Sequence, residues 1–399
     1  MIDSVYAWRR LGVSVTLSTL GGIGMWALAV AMPAVQGDLG VSRADIAFAY
    51  SMNMIGFFLG GVLVGRLVDR HGIVVASVVS ALGLGAGFGL ASMTTSLLMF
   101  AAAQTLVGFS AAATFAPLIA DISHWFEKRR GVAVAIAASG NYIAGAVWPP
   151  IVEMMIQQHG WRTTYLSAGA LCVAVMIPLA FTLRRRAPDH AAGGAVAVAQ
   201  RSLSSLGLSP NGLQALLILA GLSCCIAMSM PQVHIVAYCA DRGYGVAAGA
   251  EMLSLMLGFG IVSRIGSGWL ADRVGGAMTL LLGSTLQAVA LVFYLMADSV
   301  VSLYVVSALF GLFQGGIVPS YAIIVREYFP PREAASRVGL TVSSTVLGMA
   351  LGGWMGGKLF DITGSYQGAF INGIGWNVLN AAIAWWLLSR QMRRPPAVA

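Results

Sequence analysis

One arginine lies inside a long apolar run, Gly258-Phe259-Gly260-Ile261-Val262-Ser263-Arg264-Ile265-Gly266-Ser267-Gly268-Trp269. A cation buried in hydrocarbon costs about 2.5–3.5 kcal/mol on insertion scales. Something must offset that cost. The chemistry a guanidinium offers there is a planar, two-pronged contact to a carboxylate, with Arg264 as the anion receptor. The structural alternative pairs Arg264 with backbone carbonyls or with Asp272, two turns further on. Other polar side chains in apolar stretches are Trp26, Asn141 and Tyr142, which can line a cavity or join helices. His234 is either a hydrogen-bonded core residue or a proton-accepting or gating group. Tyr321, two residues past Pro319, can donate its hydroxyl to a bound carboxylate or pack against the proline break. Asp121 is a shallow candidate for carrying a proton.

The elements that must hold these residues follow from composition. The 399 residues are 58% hydrophobic and 10% charged, with a mean hydropathy of +0.81. A soluble chain carries about 25% charged residues, so this is an all-α integral membrane protein. Uncharged stretches of about 20 residues are long enough to cross a bilayer as helices. They fall at 12–36, 46–65, 73–93, 97–121, 131–152 and 163–183, then at 211–237, 248–271, 276–297, 300–325, 337–357 and 366–389. That predicts twelve transmembrane helices. The first run is too long for a signal-peptide core.

Charge placement orients the chain. With both termini cytoplasmic, all but five of the 23 basic residues fall on the inner side. The exceptions are Arg43, Arg162, Arg242 and Lys358 outside, and Arg264 within. This is the positive-inside pattern of a multi-pass protein of the cell's inner (plasma) membrane. The net charge of +8 is thus explained by topology, and no nucleic-acid partner is expected.

Residues 184–210 form the one long polar break and read as a cytoplasmic linker between halves at 1–183 and 211–399. The halves repeat. Gly65-Arg66-Leu67-Val68-Asp69-Arg70-His71-Gly72 returns as Gly268-Trp269-Leu270-Ala271-Asp272-Arg273-Val274-Gly275, 203 positions later. The same register pairs Gly108 with Gly311, Phe126 with Phe329, Arg129 with Arg332 and Gly145 with Gly348. One ungapped register implies two parallel six-helix repeats.

The G-x-L-x-D-R-x-G loop, present twice, resembles the signature loop of the major facilitator superfamily. The resemblance implies a gate in which Asp69, on the cytoplasmic side, accepts from a helix N-terminus or an arginine and latches the halves. Gly65, Asp69, Arg70 and Gly72, with Gly268, Asp272 and Arg273, would form it. Further motifs extend the likeness over most of the chain: Trp125 to Ala133 leading into Ala137-Ala138-Ser139-Gly140, His234 to Tyr238 before Asp241-Arg242-Gly243, and Gly311, Gly315-Gly316, Pro319, Tyr321 and Tyr328-Phe329-Pro330. They are similar to those of the bacterial monocarboxylate-transporter and oxalate:formate-antiporter relatives. In that family the eighth-span arginine binds the substrate carboxylate, which implies that role for Arg264. The chain departs from the pattern in three places. Gly260 stands where animal monocarboxylate transporters have an aspartate, the first span has no lysine, and Lys358 is at the outer end of the eleventh span.

The expected function is therefore secondary transport of a small organic anion, a monocarboxylate, by alternating access. Both proton symport and anion exchange remain open, and the partners are that anion, lipid and, under symport, protons. The alternative is proton-driven export of a hydrophobic small molecule, which would need a membrane-embedded acid. An enzyme is not expected. The five histidines are scattered, no His-Glu-x-x-His occurs, and the cysteines lack metal-ligand spacing. No cofactor or metal is expected, and the chain should act as a monomer.

Overall fold

The computed structural model describes residues 2–185 and 206–393, excluding the side chains of Asp69, Arg130, Pro331, Arg332, Ala335, Met392 and Arg393. Residues 186–205, most of the expected linker, thus lie outside the described residues. Among the described residues every regular element is a helix. In chain order these are α1 (Val5–Gly21), α2 (Ile23–Leu39), α3 (Arg43–Ser92), α4 (Leu97–Ala111), α5 (Ala116–Ser123), α6 (Arg130–Leu171), α7 (Ile177–Thr182), α8 (Pro210–Asp241), α9 (Val246–Val274), α10 (Gly276–Met296), α11 (Val300–Gln314), α12 (Ile317–Tyr328), α13 (Pro331–Thr363) and α14 (Gln367–Arg393).

Ten stretches of described helix are long and apolar enough to cross a membrane. One, Gly131–Thr182, contains Gly160 at φ 77° and ψ 160°, so it is two spans joined at a turn. α14 completes twelve. Its Asn377 and Asn380 are buried, and they donate to the Ser284 carbonyl and hydroxyl at 2.7 Å each. The first span consists of α1 and α2, the fourth of α4 and α5, and the tenth of α11 and α12. Spans alternate in direction, so each membrane face collects alternate ends. We call the face carrying the N-terminus proximal and the opposite one distal.

The 203-residue register holds in the backbone. Gly72 and Gly275 both sit at φ 83°, with ψ of 169° and 167°, a conformation that only glycine adopts easily. Ser96 and Ser299 each cap the following helix with a side-chain oxygen. A Cβ on Gly108 would lie 1.9 Å from the carbonyl oxygen of Asn53. One on Gly311 would lie 2.0 Å from that of Met256. Asn53 and Met256 are themselves 203 apart. The same small-residue contact therefore packs spans 2 and 4 in one repeat and spans 8 and 10 in the other.

The first helix starts before the predicted run and takes Arg9 and Arg10 into its first turns. Arg10 is 2% exposed. It holds Asp121 through two bonds, Nε to Oδ2 at 2.7 Å and Nη2 to Oδ1 at 2.8 Å. It also donates to the carbonyls of Leu183 and Arg185 and lies over the Trp125 ring at 4.6 Å. Spans 1, 4 and 6 are tied together there.

The packing contact has a direct test. Gly108→Ala should destabilise the purified protein by about 1–3 kcal/mol, the usual cost of forcing atoms into a packed contact. Gly61→Ala, on the same helix pair but with nothing within 4 Å of its Cβ, should leave the melting temperature unchanged. Equal melting temperatures for the two variants would refute the close-packing account.

Candidate functional site

Arg264 sits in α9, eighteen residues from Val246, so it lies about 27 Å along the helix from the distal end and about 15 Å from the proximal end. It is half-buried. Its Nη1 donates to the Ala138 carbonyl of the fifth span at 3.4 Å. Its guanidinium carbon lies 4.4 Å from the centre of the Tyr142 ring, one turn further along the same span. That contact is worth about 0.5–1 kcal/mol at an exposed site and more when desolvated. The Nε is buried and has no hydrogen-bond partner. Asp272 is exposed, and no ion pair joins it to Arg264 among the described residues. The guanidinium thus has one long hydrogen bond and one aromatic face, and it keeps donors free.

Glycines make this placement possible. A Cβ on Gly260 would lie 2.4 Å from Cε1 of Tyr142, so the ring fits only because residue 260 has no side chain. An acid at 260 and the Tyr142 ring in this position cannot both occupy this space. The break in the tenth span lies on the other side of α9. A Cβ on Gly315 would be 2.6 Å from the Gly260 carbonyl oxygen and 2.9 Å from the Arg264 nitrogen, and the Gly315 N–H donates to Ser263 Oγ at 3.1 Å. Span 10 therefore fixes the rotation of α9.

Trp26 and Asn141 adjoin the site. The indole N–H of Trp26 donates to the Asn141 carbonyl at 3.3 Å, and its ring also packs on Gly145. Trp26, Asn141, Tyr142 and Arg264 thus form one continuous group across spans 1, 5 and 8. Tyr321 is not part of it. It is fully buried, and its hydroxyl donates to Asn380 Oδ1 at 2.8 Å, within the second repeat. His234 is also apart. It lies fully buried some 36 Å along α8 from the proximal end, with Nε2 2.8 Å from the Gly353 carbonyl. Asp121 is held by Arg10, which occupies both its oxygens.

The signature loops lie on the proximal face. Arg70, Asp272 and Arg273 are exposed, Arg273 lies 3.7 Å over Trp269, and the Asp69 side chain lies outside the described residues. Among the described residues, bonds between the repeats occur only from Arg264 outward. Ser254 donates to the Ala146 carbonyl, and Ser51 to the Ala350 carbonyl at 2.6 Å. Gly353 packs on the Tyr50 ring. The distal side is closed by these contacts, and the bonds between the repeats found among the described residues lie on that side. Sequence reasoning missed Ala138, because any residue type supplies a carbonyl. The Gly315-Gly316 pair was the visible signal for the support behind α9.

Twelve spans in two parallel repeats, with a half-buried cation between them, are the arrangement of a multi-pass membrane transporter. The chain belongs to the Major Facilitator Superfamily, whose family profile matches residues 15–297 and 261–399. Among curated proteins it is 28% identical to monocarboxylate transporter 13 of Rattus norvegicus over 80% of this chain and 74% of that one. It is 26% identical to human monocarboxylate transporter 11 over 92% of this chain and 80% of that protein. Among solved structures, a bacterial homologue of the human lysosomal transporter Spinster, inward-facing and occupied, superposes with a TM-score of 0.76. That match has 14% identity and covers 99% of this chain and 100% of the other. The nucleoside transporter NupG gives 0.75 at the same identity.

The Arg10–Asp121 pair has its own test. Asp121→Asn leaves a buried guanidinium without its counter-charge, which costs about 3–5 kcal/mol in such pairs. The purified variant should melt at a clearly lower temperature. An unchanged melting curve would show that the pair does not hold spans 1, 4 and 6 together.

Proposed function

We propose that this protein moves a small organic monoanion, most simply a monocarboxylate, across the membrane by alternating access around Arg264. One observation carries the reading: a half-buried guanidinium at the innermost contact between the repeats, with its buried Nε unpartnered and no carboxylate bonded to it among the described residues. A substrate carboxylate supplies the missing counter-charge and the planar second contact. Tyr142 forms one wall of the site, with Asn141 and Trp26 behind it. The names of the monocarboxylate-transporter relatives agree with this chemistry. A single cation suits a monoanion better than a dianion, because the second charge would enter the apolar interior uncompensated.

In this reading the halves at 1–183 and 211–399 rock about the central site, joined by the linker at 184–210. The proximal face is cytoplasmic, as the basic residues indicate, and the conformation described here opens inward. The twin signature loops, with Asp69 and Asp272, then close the cytoplasmic side in the opposite state. The contacts of Asp121, Tyr321 and His234 favour structural roles for all three. The exporter reading loses support at Asp121, whose carboxylate is paired with Arg10.

The test is uptake of radiolabelled short-chain monocarboxylates by proteoliposomes, with and without an imposed pH gradient. Arg264→Ala should abolish uptake while the protein remains monodisperse. Arg264→Lys, which keeps the charge but loses the fork, should raise KM by about tenfold or more. Gly260→Ala, which displaces the Tyr142 ring, should lower uptake strongly, whereas Gly258→Ala, with its Cβ 3.9 Å from the nearest atom, should not. Wild-type uptake by Arg264→Ala would overturn the assignment. Uptake driven by a pH gradient would identify symport, and acceleration by internal anion would identify exchange.

A further inference from the structure

Among the described residues, one charged centre of the distal closure, remote from the transport site described above, is built on Arg43. Arg43 opens α3 in the first repeat and is 6% exposed. Its Nη2 donates to both oxygens of Asp241, at 3.1 and 3.0 Å, and its Nη1 donates to the Tyr366 hydroxyl at 3.1 Å. Its guanidinium carbon lies 5.0 Å from the Phe360 ring centre. All of these partners belong to the second repeat. The backbone makes an equally strong connection. The Arg43 and Ala44 N–H groups donate to the two carboxylate oxygens of Asp361, at 3.0 and 2.8 Å.

These are helix-end donors that no intrahelical carbonyl can satisfy. The Asp45 N–H is capped within the first repeat by Ser42 Oγ at 3.1 Å. Two of the first three donors of α3 are therefore capped by the other repeat. An aspartate at that end also meets the positive pole of the helix dipole. The approach is close enough to require Gly357, one turn before Asp361: a Cβ there would lie 2.7 Å from the Arg43 carbonyl oxygen. The carboxylates at this centre are those of Asp241 and Asp361.

We infer that Arg43, Asp241 and Asp361 form the bolt of the distal gate: they are joined only when the transporter is closed on that side, and they must part for it to open. Every bond in the set crosses between the repeats, so a rocking motion breaks all of them together. The guanidinium, its carboxylate and the helix end are then left to water. The inference rests on the alternating-access reading but not on the identity of the substrate. It adds a gating role for three residues remote from Arg264. Asp241 entered the sequence reading only as part of a family-like motif, and Arg43 only as an outer-side charge.

The experiment measures exposure of Ser51, which is buried beneath the bolt and bonded to Ala350 across the repeats. Ser51→Cys is built in a background with the four native cysteines replaced, and a membrane-impermeant thiol reagent is applied from the distal side without substrate. Arg43→Ala and Asp241→Asn should each speed labelling by about tenfold or more, the scale expected when one partner of a buried pair is lost. Gly357→Ala, which changes no charge, should act in the same direction. Exchanging the charges in Arg43→Asp with Asp241→Arg should bring labelling back toward the parent rate. Labelling within about twofold of the parent in monodisperse Arg43→Ala and Asp241→Asn proteins would overturn the inference. If Arg43→Ala does not fold, Asp241→Asn and Gly357→Ala decide it. Because no substrate is present, the result stands whether or not Arg264 binds a monocarboxylate.

Discussion

The central constraint on this molecule is the desolvation of one guanidinium. Arg264 cannot be hydrated like a surface arginine, and its neighbours supply only part of what water would provide. An aromatic face and one carbonyl at 3.4 Å stabilise the charge without saturating its donors. A fully paired arginine would be a strut between two helices. A partly paired one keeps donors that a bound anion can take. The two glycine seats at 260 and 315 set this degree of pairing, because they fix the rotation of α9 and the depth of the Tyr142 ring.

The repeat supplies the scaffold, and departures from it mark the chemistry. The positions shared at an offset of 203 are turns, caps and close contacts: Gly72 with Gly275, Ser96 with Ser299, Gly108 with Gly311. Charged positions are matched in the signature loops and at Asp38 with Asp241, but four residues of the two centres have no like counterpart. Arg264 corresponds to Gly61, Tyr142 to Thr345, Arg43 to Val246 and Asp361 to Gln158. A symmetric frame lets the two repeats rock as similar bodies. Charges placed on it at two depths, one in the interior and one at the distal rim, are the centres we propose for binding and for closure.

Membrane insertion made much of this legible beforehand. Hydropathy, the position of the basic residues and the repeated loop are properties of the chain against the bilayer and need no tertiary contact to read. Arg264 stood out for the same reason, as did the likeness of the tenth-span glycines to the family pattern. What could not be read was pairing. Asp121 and Tyr321 looked free because their partners, Arg10 and Asn380, are 111 and 59 positions away. Gly260 looked like a missing acid, and only the structure sets the Tyr142 ring against it.

The sequence by itself determined that this chain spans the membrane twelve times in two related sets, with one cation deep inside. Those facts follow from local hydrophobicity and internal repetition. Only the tertiary structure decided which polar groups remain available. Availability depends on which helix face meets which, and helix rotation is set by contacts of a few tenths of an ångström at glycines on other spans. Arg264 keeps a free donor for that reason, and Arg43, which looked ordinary in the chain, is the residue most thoroughly bound across the repeats.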